Sequence, residues 1–458
     1  MKRIARSKSA RVTALIVVAV AGIGFIGWRA MQPKIRTATA AEVRAMLPPE
    51  LLQEIPSNVA AVDRYKRLGA LSKSFDPKVL NSIFDYKAAP ATRSAAAYRF
   101  WQAKPHLLSD VASLLESGPL QCPPVNPNGL TLFPELATLK SISKVLAAGA
   151  HTYAEHGDSS TTLRMLSLGI KLGDRLLDSN GPLIDYLVAV ALEAIANKAV
   201  TDAVSTGAIS PSDCKQLLSQ ITPSARRDDY LYKCIRTDFQ EFLLTMLPDP
   251  SKWNSEIMVS NPGDEPKDRE AVVGTYDAID TTKTVGQILK AALKNARSPL
   301  SQFDGAAEGL IEREAKGLPD ENGFDKAEGF AKTFYKFKYK FLMNNSRNTI
   351  GRKILANGIL AGNAEVDASD KWRANRDLVR ALLASRIYRA SHNGQLPSSP
   401  SGFVPLLGAW PTDPFNGKPM IYKPEKEIAY SVGTNLIDDG GQISDGWKSK
   451  DVGIWLKK

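Results

Sequence analysis

Apolar residues return every three to four positions through the middle of the chain, and that period defines its main elements. Leu139, Ile142, Val145, Leu146 and Gly149 form one such series, and Leu163, Leu166, Ile170 and Leu177 another. Together they predict helices over 134–155, 160–178 and 182–205. Gly157-Asp158 and Asn180-Gly181-Pro182 punctuate them, with Asp158 or Ser159 placed as a cap and Pro182 suited to a first helical turn. Ser210-Pro211-Ser212-Asp213 opens a further helix, and Arg226 to Leu247 reads as another. No fixed repeat period joins these helical hairpins into a solenoid.

Before them, residues 31–120 read as short helices broken at Pro48-Pro49, Pro56, Pro77, Pro90 and Pro105, followed by an irregular linker from Leu120 to Asn128. Residues 248–281 read as a polar excursion within a helical domain spanning 121–370. Phe330, Phe334, Phe337 and Phe341 fall on one helical stripe, with Lys332, Lys336 and Lys340 on another face.

The last segment, 371–458, changes period. Leu378, Val379, Leu382, Leu383 and Ile387 give a helix from Ala374 to His392 an apolar face, opposite Arg376, Arg380, Arg386 and Arg389. Asn393-Gly394 ends it in a left-handed cap, and Asn416-Gly417 suits a tight turn with both residues at positive φ. Strands follow at Met420–Lys423, Glu427–Val432 and Val452–Leu456, which with the helix make a small α+β module. The predicted fold class is mainly α, as helical hairpins, with this module of one helix and a three-stranded antiparallel sheet at the end.

At the opposite end, Val12 to Trp28 is uncharged and apolar, corresponding to about 25 Å of helix. Residues 1–30 therefore read as a basic tail and a transmembrane signal anchor. Ala38-Thr39-Ala40 lies too far downstream for a signal-peptidase site. Lys2, Arg3, Arg6, Lys8 and Arg11 hold the N-terminus in the cytoplasm, so the expected location is single-pass in the inner membrane, with the body extracytoplasmic or periplasmic. Gly22-Ile23-Gly24-Phe25-Ile26-Gly27 has the GxGxxG spacing inside this run, where no strand or open loop would present it to a dinucleotide.

Of the net charge of +11, five positive charges sit in the basic tail and the rest are dispersed, with no nucleic-acid-reading motif. Nucleic acid is accordingly not an expected partner; the bilayer, through Val12 to Trp28, and proteins of the cell envelope are. Cys122, Cys214 and Cys234 have no zinc spacing; Cys214 and Cys234 are either a permitted disulfide or small buried side chains. His151 and His156 are five apart, off the spacing that stacks two metal ligands on a helix. No hydrolase, metalloprotease or P-loop motif occurs, so no catalytic residue is assigned.

One resemblance stands out in the tail. His392-Asn393-Gly394, Leu396-Pro397, Trp410-Pro411-Thr412-Asp413-Pro414-Phe415-Asn416-Gly417-Lys418-Pro419, Tyr430-Ser431-Val432-Gly433, Asp438-Asp439-Gly440-Gly441 and Asp451-Val452-Gly453-Ile454-Trp455 together resemble the C-terminal domain of the type II secretion major pseudopilin. The likeness covers about 373–456. The chain looks closer still to uncharacterised membrane-anchored bacterial proteins of planctomycete-like lineages that carry such a tail behind a helical region. The resemblance implies a calcium loop, with Asn435, Asp438, Asp439 and Asp451 as candidate Ca²⁺ ligands. Asn435 is neutral, and Leu436 stands where glycine is usual. Gly24-Phe25 lacks the glutamate that pseudopilin processing and assembly use, which speaks against polymerisation. The expected function is a membrane-anchored, extracytoplasmic structural or interaction protein of the envelope, without catalysis. The alternatives are an extracytoplasmic hydrolase with its site in a helical cleft, and an accessory component of a type II secretion or pilus-like system.

Overall fold

In the computed structural model, prolines that interrupt the helical pattern prove to be helix starts. Described are residues 34–56, 58–85, 87–123, 134–224, 229–249, 275–316, 318, 342–343, 346–356, 363–443 and 450–456. Pro49, Pro77 and Pro90 occupy the first position of α2 (Pro49–Leu52), α4 (Pro77–Phe84) and α5 (Pro90–Gln102), where a missing N–H leaves nothing unsatisfied. Around them lie α1 (Ala40–Ala45), started by a Thr39/Glu42 capping box, α3 (Val59–Ser72) and α6 (Leu107–Glu116).

The predicted trio follows as α7 (Pro134–Glu155), α8 (Ser159–Leu177) and α9 (Leu183–Ser205), each packed on the other two. Asp158 caps α8 through the Thr161 amide. Gly149 is required where α7 crosses α5 and α8: a Cβ there would lie 2.3 Å from Trp101 Nε1 and 2.5 Å from Met165 Sδ. α10 (Pro211–Gln220) begins with a Ser210/Asp213 capping box. α11 (Tyr230–Asp238) passes through a π-helical turn, Phe239–Leu243, into a last turn at Leu244–Met246.

Beyond it come α12 (Ala278–Asn295), α13 (Ala306–Ala315) and α14 (Thr349–Ala356). A two-residue parallel pairing of β1 (Ile35–Arg36) with β2 (Tyr276–Asp277) ties the start of the described chain to α12. The polar excursion expected over 248–281 thus ends before α12; most of it, and the phenylalanine stripe, lie outside the described residues.

α15 (Asn363–Ser391) runs through the expected boundary at 370/371. It packs on α9 and α10 along one side and on the C-terminal sheet along the other. That two-sided burial overturns the arginine face: Arg376 is 1%, Arg380 6% and Arg389 9% exposed. After the left-handed Asn393 and Gly394, α16 (Val404–Leu407) leads to β3 (Ile421–Lys423), β4 (Ile428–Ser431) and β5 (Val452–Trp455), an antiparallel sheet in sequence order. At Asn416-Gly417 only Gly417 is left-handed, because the Asn416 side chain accepts the Lys418 amide instead. Hydrophobic contacts run as one cluster from Val43 to Leu456.

Among the described residues no helix is long and apolar enough to cross a membrane. The long helices carry charge on faces that this fold compensates and lipid would not: α9 holds Glu193, Lys198 and Asp202, paired with Arg376 or with each other. Val12 to Trp28 itself lies outside the described residues. The expected transmembrane signal anchor, and the inner-membrane location with an exported body that rested on it, are corrected accordingly.

Candidate functional site

The four residues singled out for calcium come together in the loop between β4 and β5. The loop does not stand off in solvent: 440–443 lies flat on the outer face of the sheet. A Cβ on Gly441 would sit 2.4 Å from Ile428, and one on Gly453 2.4 Å from Ile443. Asp451, fully buried, accepts the amides of Gly441 at 2.9 Å and Gln442 at 3.0 Å. Burial pushes its carboxyl above the usual range, with those amides opposing. Asp438 is held below its usual range by the Gly440 amide, helped by the Tyr430 hydroxyl at 2.9 Å. Asn435 donates to Asp439 at 2.7 Å and accepts the Ile437 amide at 3.1 Å.

This donor set does not fit Ca²⁺ as it stands. The closing carboxylate faces N–H groups, whose positive ends oppose a cation, and Asn435 offers its N–H to Asp439. Among the described residues no group of three or more His, Cys, Asp or Glu side chains is arranged to hold a metal. Leu436, where the resemblance leads one to expect glycine, is forced to φ +59°.

A second constellation went unseen in the sequence. Arg376 reaches from α15 into the helical layer, where Nη1 donates to Glu193 at 2.5 Å and to Asp174 at 3.0 Å, and Nε to the Thr222 carbonyl at 2.8 Å. The Trp372 indole donates to the same Glu193 oxygen at 2.7 Å. Further along, Asp377 accepts the Ser224 amide and hydroxyl. Arg389 donates to the Gly394 carbonyl at 2.6 Å and to Glu427 at 2.7 Å. One helix is thus bonded to both of its neighbours, on the helical side through buried charge and on the sheet side through the half-exposed Glu427. The available signal was charge spacing: Asp370–Arg373 and Asp377–Arg380 are i,i+3 pairs on the same helix.

Between α7 and α9 lies a groove of about 380 Å³ whose lining includes Ala147, Ala154 and Ala199 alongside His151, Lys198 and Asp202. Lys198 pairs with Asp202 at 2.9 Å. His151 Nε2 lies 3.2 Å from Glu155, whose other oxygen accepts the Ser94 hydroxyl.

The chain matches no family model, no curated protein and no solved structure.

Ser94, Glu155 and His151 touch, but the carboxylate stands between serine and imidazole. A serine nucleophile needs the imidazole beside it, with the carboxylate behind. Two of the other three histidines have structural partners. His156 stacks on Tyr98 at 4.3 Å and His392 on Tyr388 at 3.7 Å, each also bonded to a helix carbonyl. All three cysteines are buried thiols outside any disulfide, so the permitted Cys214–Cys234 bond is not formed. Cys122 donates to the Tyr65 hydroxyl at 3.0 Å; burial pushes the Cys214 thiol up to about 11.

Proposed function

We propose that the protein is a non-catalytic interaction scaffold, with the groove between α7 and α9 receiving an amphipathic helix of a protein partner. The observation that carries this reading is the Arg376 network, which fastens the tail to the helical layer through buried charge. A scaffold needs rigid relative placement of its parts, and buried, geometrically demanding ion pairs favour one arrangement over others. The groove suits a helix because alanines let a second backbone approach closely. Its charged rims are compensated within their own helices, so an apolar seam meets no unpaired charge. The pseudopilin-like tail serves as a stiff end-piece in this reading.

The test is photocrosslinking in cells that express the full chain. A crosslinker at Ala199 should capture one defined protein that one at the exposed Lys215 does not, and Ala147→Trp should abolish the adduct. Equal capture at both positions, or none at Ala199, removes the groove from the proposal. Ester or glycoside turnover lost in Glu155→Gln would instead install the hydrolase alternative.

A further inference from the structure

We propose that the N-terminus of α9 is a proton-operated latch: a proton held by the Asp185–Asp238 pair keeps α9, α11 and the 120–123 segment together, and its loss loosens them. Asp238, at the end of α11, reaches across to accept the Leu183 amide at 3.1 Å, the first N–H of α9. Asp185, within the first turn of α9, accepts the Cys122 amide at 3.0 Å through Oδ2. Its Oδ1 has no hydrogen-bond partner among the described residues, and the residue is fully buried. The π turn that follows Asp238 brings in Glu241, whose charge bears on both carboxyls. Three acidic side chains therefore converge on one helix end.

Among the described residues, the neighbouring cations are engaged elsewhere. Arg236 donates to the Gln53 carbonyl at 2.7 Å, and Lys233 sits over the Tyr230 ring. From α15, Arg373 pairs with Asp370 at 3.2 Å. Of the other groups at hand, burial pushes the Cys234 thiol on α11 well up, and Cys122 donates to the Tyr65 hydroxyl. The helix dipole favours negative charge at this end, but the effect is small beside the cost of burying it. Two buried carboxylates without a counterion cannot both ionise cheaply. Burial, with a contribution from Glu241, pushes Asp185 up to about 6 and Asp238 up to about 7.

Both values are raised above that of an open, solvated carboxyl. The advantage of the closed form is therefore complete below about pH 4 and is lost as pH rises through 6 and 7. The latch is shut in acid and slack at neutral pH. Because α9 is one wall of the groove and packs on α7, α8 and α15, slackening at its first turn reaches the surface used in the scaffold reading without depending on it.

Hydrogen exchange of the full chain tests this at the Leu183 and Cys122 amides, as protection factors corrected for intrinsic rate. Between about pH 4 and 7, protection should fall by about tenfold per pH unit for each proton released. Asp238→Asn should flatten the profile, and Glu241→Gln, which removes a half-buried charge that raises both carboxyl pKa values, should make the fall smaller and end it at lower pH. If Asp238→Asn fails to fold, the wild-type and Glu241→Gln profiles decide. Pairwise identical profiles, or protection that is constant or rises with pH in the wild type, overturn the latch.

Discussion

Replacing Arg376 with methionine isolates the contact on which the scaffold reading rests. The guanidinium is 1% exposed and lies against two carboxylates, Glu193 at 2% and Asp174 at 13% side-chain exposure. Methionine keeps much of the volume and removes every donor, so Glu193 loses its counterion in a site that water barely reaches. Breaking a buried pair from one side costs about 3–5 kcal/mol, a large share of the roughly 5–15 kcal/mol that holds a typical domain. The triple replacement Arg376→Met, Glu193→Gln, Asp174→Asn removes the orphaned charges and should recover most of that loss. Arg376→Lys should recover only part, since one ammonium cannot span Thr222, Asp174 and Glu193 as the planar fork does. Urea unfolding followed by tryptophan fluorescence measures all three, with Trp372, bonded to Glu193, as a local reporter. A loss below about 1 kcal/mol in Arg376→Met, or an equal loss in the triple variant, would refute the reasoning that the charge, rather than packing, joins the two layers.

Other outcomes follow from single positions. Leu436→Gly should stabilise the protein by about 0.5–1 kcal/mol, the left-handed strain of leucine exceeding the extra entropy of glycine; an unchanged melting midpoint would argue against strain there. Gly149→Ala should destabilise by about 1–3 kcal/mol despite alanine's better helix propensity, because the methyl displaces Trp101 or Met165. Asp451→Asn should lower stability by about 1–3 kcal/mol, since the single amide oxygen can take the Gly441 and Gln442 N–H groups only by turning its NH2 toward the Asp439 N–H. Wild-type melting midpoints in Ca²⁺ and in chelator should coincide; a rise with Ca²⁺ that Asp451→Asn abolishes would restore the metal reading of the loop.

Period and punctuation alone located α7, α8, α9 and the strands of the tail, because a helix or strand buried on one side writes its geometry into residue spacing. Asp158, Ser210 and Gly394 marked ends for equally local reasons. α15 is where that reading failed. Its arginines sit at the spacing of a solvent face, and hydropathy counts a guanidinium as exposed whatever it meets. Only the fold brings Asp174, Glu193 and Thr222, some 150 to 200 positions distant, against Arg376 and turns that face inward. The acidic loop between β4 and β5 shows the same limit: its composition marks acidic residues, but whether a carboxylate faces a cation or an amide depends on how the backbone lies over the sheet. The Asp185–Asp238 pair, too, exists only because α9 and α11 meet end to side. Local order followed from neighbours along the chain; charge compensation and protonation were decided by neighbours in space, since electrostatic energy depends on distance and burial rather than sequence separation.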